Sequence, residues 1–160
     1  MKLMLRIFSW KVTLLISVIT LISLCILGFY GIYTDKFYFF KLDNYIFPIL
    51  TIVHFIYLYA VWFKITENEY PDVPMRNLEY SLYLIFLVYL YKTVDSVLVV
   101  TSYHDFENFV LPSTFVPLGN TTVGLYVVLL FVTLLTFGHR RKSVGPYDFS
   151  SFNENMDSWQ

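Results

Sequence analysis

The stretch Tyr89–Val100, YLYKTVDSVLVV, decides how the chain is read. It lies inside a long apolar run, yet it carries Lys92 and Asp95 three residues apart. Either the segment avoids the membrane, or the two charges have partners within it. A Lys or Asp at the centre of a spanning helix costs about 2.5–3.5 kcal/mol on insertion scales. A long apolar surround tolerates that cost if the charges face protein or water. At 100° per residue, Tyr89, Lys92, Asp95 and Ser96 share one stripe, which Ser81 and Tyr103 extend. Leu84, Leu87, Leu90, Val94 and Leu98 lie opposite. The pattern predicts a helix with a lipid face and a polar seam. Lys92 and Asp95 are expected to pair at i, i+3 and to face the bundle interior.

The composition favours the membrane. Of 160 residues, 57% are hydrophobic, 21% aromatic and only 14% charged, against about 25% charged in average soluble domains. Sixteen Phe and fourteen Tyr exceed what a soluble core of this size buries. A net charge of −1 gives no basic field for nucleic acid. The single Cys25 excludes an intrachain disulfide, a Cys-based zinc site and a CxxC redox motif. HExxH, GxSxG and P-loop patterns are missing, and His54, His104 and His139 fall in three different regions, a poor metal set. The expectation is a protein that is not an enzyme and that needs no metal or other cofactor.

Four runs are long enough to cross a bilayer, which takes about 20 apolar residues each. They are approximately 12–33, 45–63, 78–102 and 121–137. The sequence therefore predicts an all-α, integral membrane four-helix bundle over residues 1–142, followed by a disordered tail, 143–160. Pro48 fits the first turn of the second span, and Pro71 and Pro74 fit the connector before the third. Gly138 and the basic run His139–Lys142 end the fourth. Lys and Arg in the short flanks set the orientation. The N-terminal flank carries Lys2, Arg6 and Lys11, the second connector Lys64 and Arg76, and the C-terminal flank Arg140, Arg141 and Lys142; the opposite side has only Lys36 and Lys41. Both termini are thus expected to be cytoplasmic. Trp10, Tyr30, Tyr33, Tyr38, Tyr45, Trp62 and Tyr103 cluster at span ends, as interfacial aromatics do. A cleaved signal peptide over Met1–Gly28 is the rival. Its apolar stretch exceeds the usual 7–15 residues and no small-x-small cleavage site follows, so a retained span is expected.

The polar residues of the spans admit two uses. His54, with Thr51 and Tyr57 near its face, joins Tyr89, Lys92, Asp95 and Ser96 in a candidate intramembrane seam. Thr13, Ser17, Thr20, Gly28 and Gly31 form a small-residue stripe on the first span. Such groups either glue helices together or line a path for an ion, a proton or a small ligand.

The segment YKTVDSVLVV, Tyr91–Val100, resembles the third-span signature of the lysosome-associated four-span transmembrane proteins, the LAPTM family, in which a basic residue stands three before an Asp and an apolar helix follows. The four-span layout with cytoplasmic ends matches as well. The resemblance implies a non-enzymatic endolysosomal regulator that binds other membrane proteins or lipids. The family's Cys-rich N-terminal segment is absent here, and the tail has no PPxY motif, so recruitment of WW-domain ubiquitin ligases does not carry over.

The connectors and tail add smaller signals. GNTT, Gly119–Thr122, contains a glycosylation sequon at Asn120; the favoured reading is that Asn120 caps the fourth helix. EYPDV, Glu69–Val73, fits either a Tyr-x-x-apolar sorting signal or a plain Pro turn. The third connector, with Phe106, Phe109, Pro112, Phe115 and Pro117, is expected on the outer interface. In the tail, Tyr147, Phe149, Phe152 and Trp159 are candidate contacts for a partner or the membrane surface. The functional expectation is an accessory or regulatory membrane protein acting through helix packing and tail contacts. Membrane lipids and other membrane proteins are its expected partners, and self-association is a further option. A small transporter or channel subunit using the ionisable seam, and a junctional or membrane-organising tetraspan, are the alternatives. An endolysosomal or other endomembrane setting is favoured over the plasma membrane.

Overall fold

The computed structural model describes residues 8–102 and 111–147. Four helices dominate: α1, Trp10–Phe29; α2, Ile46–Thr66; α3, Val73–Thr101; and α4, Phe115–Ser143. Each is long and apolar enough to cross a membrane. At 1.5 Å per residue, the 20- and 21-residue helices α1 and α2 span about 30 Å, and the 29-residue helices α3 and α4 about 44 Å. The longer pair therefore overshoots a hydrocarbon layer by more than two turns.

The helix ends follow local chemistry. Ser9 opens α1, its hydroxyl accepting from the Val12 N–H at 3.3 Å. Asp72 opens α3 in the same way, with Met75 N–H 2.9 Å away and Pro74 in the first turn. This cap starts α3 five residues before the expected Leu78. α4 also starts early, at Phe115, because Pro117 sits in the first turn, where a missing N–H breaks nothing. Asn120 consequently lies inside the helix and exposed, and the expected cap does not form; Thr114 occupies the cap position. Beyond α1 the chain leaves the helix for a two-residue antiparallel ladder, β1 (Tyr30–Gly31) with β2 (Lys36–Phe37), pairing Tyr30 with Phe37 and Gly31 with Lys36. Asp35 takes the left-handed conformation in the turn. Its carboxylate accepts from the Tyr30 hydroxyl at 2.9 Å and from the Thr114 hydroxyl, tying this first connector to the start of α4.

The helices form a ring in chain order, each against its sequence neighbour, with α1 closing on α4. Contacts are most extensive along α1–α4 and α3–α4 and sparser along α1–α2. Part of the small-residue stripe on α1 is buried. Thr13, Ser17 and Thr20 are buried with Leu21 and Leu24, and the Ser17 hydroxyl bonds back to the Thr13 carbonyl at 2.8 Å, leaving no polar group to desolvate unpaired. Gly28 has open space around it and plays no part in close packing. The core continues through Tyr57, Leu58 and Val61 on α2, Leu82, Ile85 and Tyr89 on α3, and Leu129 and Val132 on α4. The outward faces are equally apolar. Leu84, Leu87, Leu90, Val94 and Leu98 of α3 are all exposed, on the face expected to meet lipid, as are Ile19, Ile22 and Ile26 of α1 and Ile49, Ile52 and Ile56 of α2.

One close approach fixes the α3–α4 spacing. A Cβ on Gly119 would stand 2.6 Å from Val100 Cγ2, whereas one on Gly124 would meet nothing within 4 Å. Ala gains about 0.5–1 kcal/mol over Gly inside a helix, and overpacking costs about 1–3 kcal/mol. Gly124→Ala is therefore expected to raise the unfolding temperature in detergent, and Gly119→Ala to lower it. In a Val100→Ala background Gly119→Ala should become stabilising. The same sign in both backgrounds would show that this contact does not set the spacing.

Candidate functional site

The most concentrated chemistry lies where α3 begins and α4 ends. Glu79 is 1% exposed, although it sits only two turns into α3. It enters the core because its helix face is set by Met75, Leu82, Ile85 and Tyr89, which recur at spacings of three and four and are all buried. Four donors reach its carboxylate. The Tyr83 hydroxyl donates to Oε1 at 2.6 Å, and the Arg140 guanidinium donates to the same oxygen. The hydroxyls of Tyr57 and Tyr147 donate to Oε2 at 3.0 and 2.8 Å. An ionised carboxylate offers about four lone-pair sites, and here all are used.

These partners come from every element at that end except α1. Tyr57 belongs to α2, Tyr83 lies one turn from Glu79 on α3, Arg140 ends α4, and Tyr147 lies in the segment beyond. The Arg140 guanidinium also donates from Nη1 to the Gly145 carbonyl at 3.0 Å and stands 4.3 Å from the centre of the Tyr147 ring. Gly145 adopts a positive φ of 101°, which turns the chain back over the helix end. The expected tail contact Tyr147 is thus engaged by the chain's own bundle. Burial first, and then the bond to the Glu79 carboxylate, push its hydroxyl above the ordinary tyrosine pKa. Phe149, Phe152 and Trp159 lie outside the described residues. A cavity of about 370 Å³ opens beside the cluster, bounded by Glu79, Tyr83, Arg140, Arg141 and Tyr147.

A second polar group sits in mid-bundle. His54, fully buried, has Nδ1 3.2 Å from the Tyr89 hydroxyl and stacks on that ring at 5.9 Å. Phe47 closes over Tyr89 and Tyr126. One turn before His54, the Thr51 hydroxyl receives the Cys25 thiol at 3.5 Å. His54 Nε2 has no hydrogen-bond partner among the described residues. The structure therefore brings His54 and Tyr89 together.

Lys92 and Asp95 are placed otherwise. They do form the i, i+3 pair, at 3.8 Å, but their side chains are 43% and 48% exposed. The pair lies at the bundle surface and is not enclosed. Helical geometry gives the reason: with Tyr89 aimed at the core, Lys92 is rotated about 60° and Asp95 about 120° away from it. Ser96, about 20° from the Tyr89 direction, is half-buried.

Two further features have structural roles. Lys64 bridges Glu69 and Asp72 at 2.8 and 2.9 Å, closing the second connector. Burial works against the Asp72 carboxylate, but the Met75 N–H and the Lys64 ammonium outweigh it and hold its pKa below the ordinary value. Tyr70 of the EYPDV stretch points outward. Among the described residues, no three His, Cys, Asp or Glu side chains are placed to hold a metal ion.

Fold and site together define a ring of four apolar helices, each of membrane-spanning length, locked at one end by a buried carboxylate. Compared with known proteins, the chain matches no family model, and no curated protein or solved structure is significantly similar to it.

The two ion pairs should respond differently to substitution. Breaking a buried pair costs about 3–5 kcal/mol because the surviving charge stays buried. Glu79→Leu and Arg140→Met are each expected to lower the unfolding temperature in detergent strongly, and the double variant to recover most of the loss. Tyr147→Phe, which removes one bond to a charged acceptor, should cost about 1.5–3 kcal/mol. Lys92→Met or Asp95→Leu, at a pair that is only half-buried, should each cost less than Glu79→Leu or Arg140→Met. A double Glu79/Arg140 variant as damaged as the worse single would show that the two do not compensate each other.

Proposed function

We propose that the chain is a four-span integral membrane protein with both termini cytoplasmic. In this reading it has no enzymatic role and acts as an accessory or regulator of other membrane proteins or lipids, through helix packing and its C-terminal tail. The outward faces of the helices support the membrane part, because Leu, Ile and Val exposed along whole helices are compatible with lipid and not with water. The bias of Lys and Arg toward the terminal flanks supports the orientation. On this topology the overshoot of α3 and α4 brings Glu79 and Arg140 to the cytoplasmic interface, where the four donors replace the water a carboxylate would otherwise need.

The observation that carries the functional reading is the bond from Tyr147 to Glu79. It fixes the point from which the tail departs and links the tail to three of the four helices. A force or partner acting on the tail then acts on helix packing. A transporter reading is supported less, because Lys92 and Asp95 are half-buried at the bundle surface and His54 is fully buried against the Tyr89 ring. An endolysosomal setting rests on the likeness of Tyr91–Val100 alone.

Two truncations test this reading in cells. A chain ending at Tyr147 keeps the latch and should retain wild-type thermal stability, while losing the partners or location that depend on residues 148–160. A chain ending at Lys142 loses the Tyr147 donor as well and should be less stable. Unchanged partners and location for both would sink the tail hypothesis. Tags at Met1 and Gln160 should both be inaccessible to an impermeant reagent on intact cells or sealed organelles in native orientation, and labelling of one end alone would contradict an even number of spans.

A further inference from the structure

The sparse α1–α2 contact leaves a groove of about 610 Å³ at the end of the bundle where α1 starts. It belongs neither to the Glu79 cluster nor to the mid-bundle group. Leu14 and Val18 of α1 and Phe55 of α2 wall its deeper part. Trp10, Lys11 and Trp62 stand at its outer end, beside the start of α1 and the end of α2. The Lys11 ammonium rests 5.6 Å from the centre of the Trp10 ring. It is exposed and forms no ion pair among the described residues. Lys64, near that end of α2, is already held by Glu69 and Asp72. An apolar trough flanked by tryptophans and ending at an uncompensated cation has the polarity pattern of one ligand class. Acyl chain fills the trough, and an anionic headgroup meets the ammonium.

We propose that this groove binds an anionic phospholipid of the surrounding bilayer, with its headgroup on Lys11 and an acyl chain between α1 and α2. The inference rests on the membrane reading and orientation given above. That orientation puts the groove in the cytoplasmic leaflet, whose surface carries the anionic lipids. Tryptophan and lysine at this depth also match the interfacial layer, where a ring lies at headgroup level and an ammonium reaches out to water. The lipid fills a gap in the ring of helices that the chain's own side chains leave open.

The chain contains three tryptophans, so Trp159→Phe leaves Trp10 and Trp62, both at the groove, as the only fluorescent indoles. The full-length protein with that change is reconstituted in phosphatidylcholine vesicles. Part of the lipid is replaced by phosphatidylcholine or phosphatidylserine with brominated acyl chains, which quench indoles on contact. At low salt, brominated phosphatidylserine is expected to quench with an apparent affinity about fivefold above that of brominated phosphatidylcholine, the factor one cationic residue contributes near an anionic surface. Lys11→Gln should bring that ratio close to one, Lys11→Arg should keep it, and Lys36→Gln, in the connector at the opposite end of the bundle, should leave it unchanged. Helical circular dichroism confirms that each variant is folded. Equal quenching by the two lipids, or a preference that survives Lys11→Gln, would overturn the proposal while leaving the membrane reading intact. Quenching by neither lipid would instead overturn the membrane reading beneath it.

Discussion

A carboxylate in an apolar bundle is tolerable only if its surroundings do what water would have done. Glu79 meets that condition with one guanidinium and three phenols. The same condition explains why α2, α3, α4 and the segment after α4 converge at this end. Each delivers one donor, and losing the Arg140 guanidinium would leave the buried carboxylate without its counter-charge. Arg140 is held in turn by the Glu79 carboxylate, the Gly145 carbonyl and the Tyr147 ring. Three tyrosines suit this work, since each offers a donor on a rigid apolar body that packs as core up to its last atom.

The rest of the bundle is organised around more modest polar contacts. Thr13, Ser17 and Thr20 are buried on α1, and Ser17 satisfies its hydroxyl on its own helix. His54 and Tyr89 join α2 to α3 at mid-height, and Cys25 with Thr51 joins α1 to α2. Such bonds are worth about 0.6 kcal/mol on average between membrane helices. They set register and rotation more than total stability. The connector Tyr30–Tyr45 closes the opposite end with rings and backbone: Tyr33 packs on Phe115 at 5.1 Å, and Asp35 reaches Thr114. One end of the bundle is thus held by charge and the other by aromatic packing and a turn.

The helices, their number and their outward faces were legible in the sequence, because helices of membrane-spanning length and apolarity leave a continuous mark along the chain. The Leu-rich face of α3 is the plainest case: five residues at helical spacing, all exposed in the fold. The boundaries were less legible. α3 starts at Val73 because Asp72 caps it, and α4 starts at Phe115 because Pro117 falls in a first turn. Those signals are local, and they are easily mistaken for loop when hydropathy alone marks the span. His54 and Tyr89 were singled out from their position on core-facing stripes, and they meet. Lys92 and Asp95 attracted the eye as charges in an apolar run, yet a rotation of 60–120° from the buried stripe puts them at the surface.

Glu79 was passed over because it reads as the polar edge of a span, and Arg140 because it reads as one member of a basic stop. Each residue has an ordinary explanation within its own segment. A faint signal was present in the run from Glu79 to Tyr83, a carboxylate with a phenol one turn away. The sequence by itself determined what each helix shows separately: four apolar runs of membrane-spanning length with aromatics at their ends. Only the tertiary structure decided which charge is buried and which is not. Glu79 and Arg140 stand 61 positions apart, and their pairing depends on the rotation of two helices about their own axes. That rotation is settled by the packing of the whole ring and is written in no single segment.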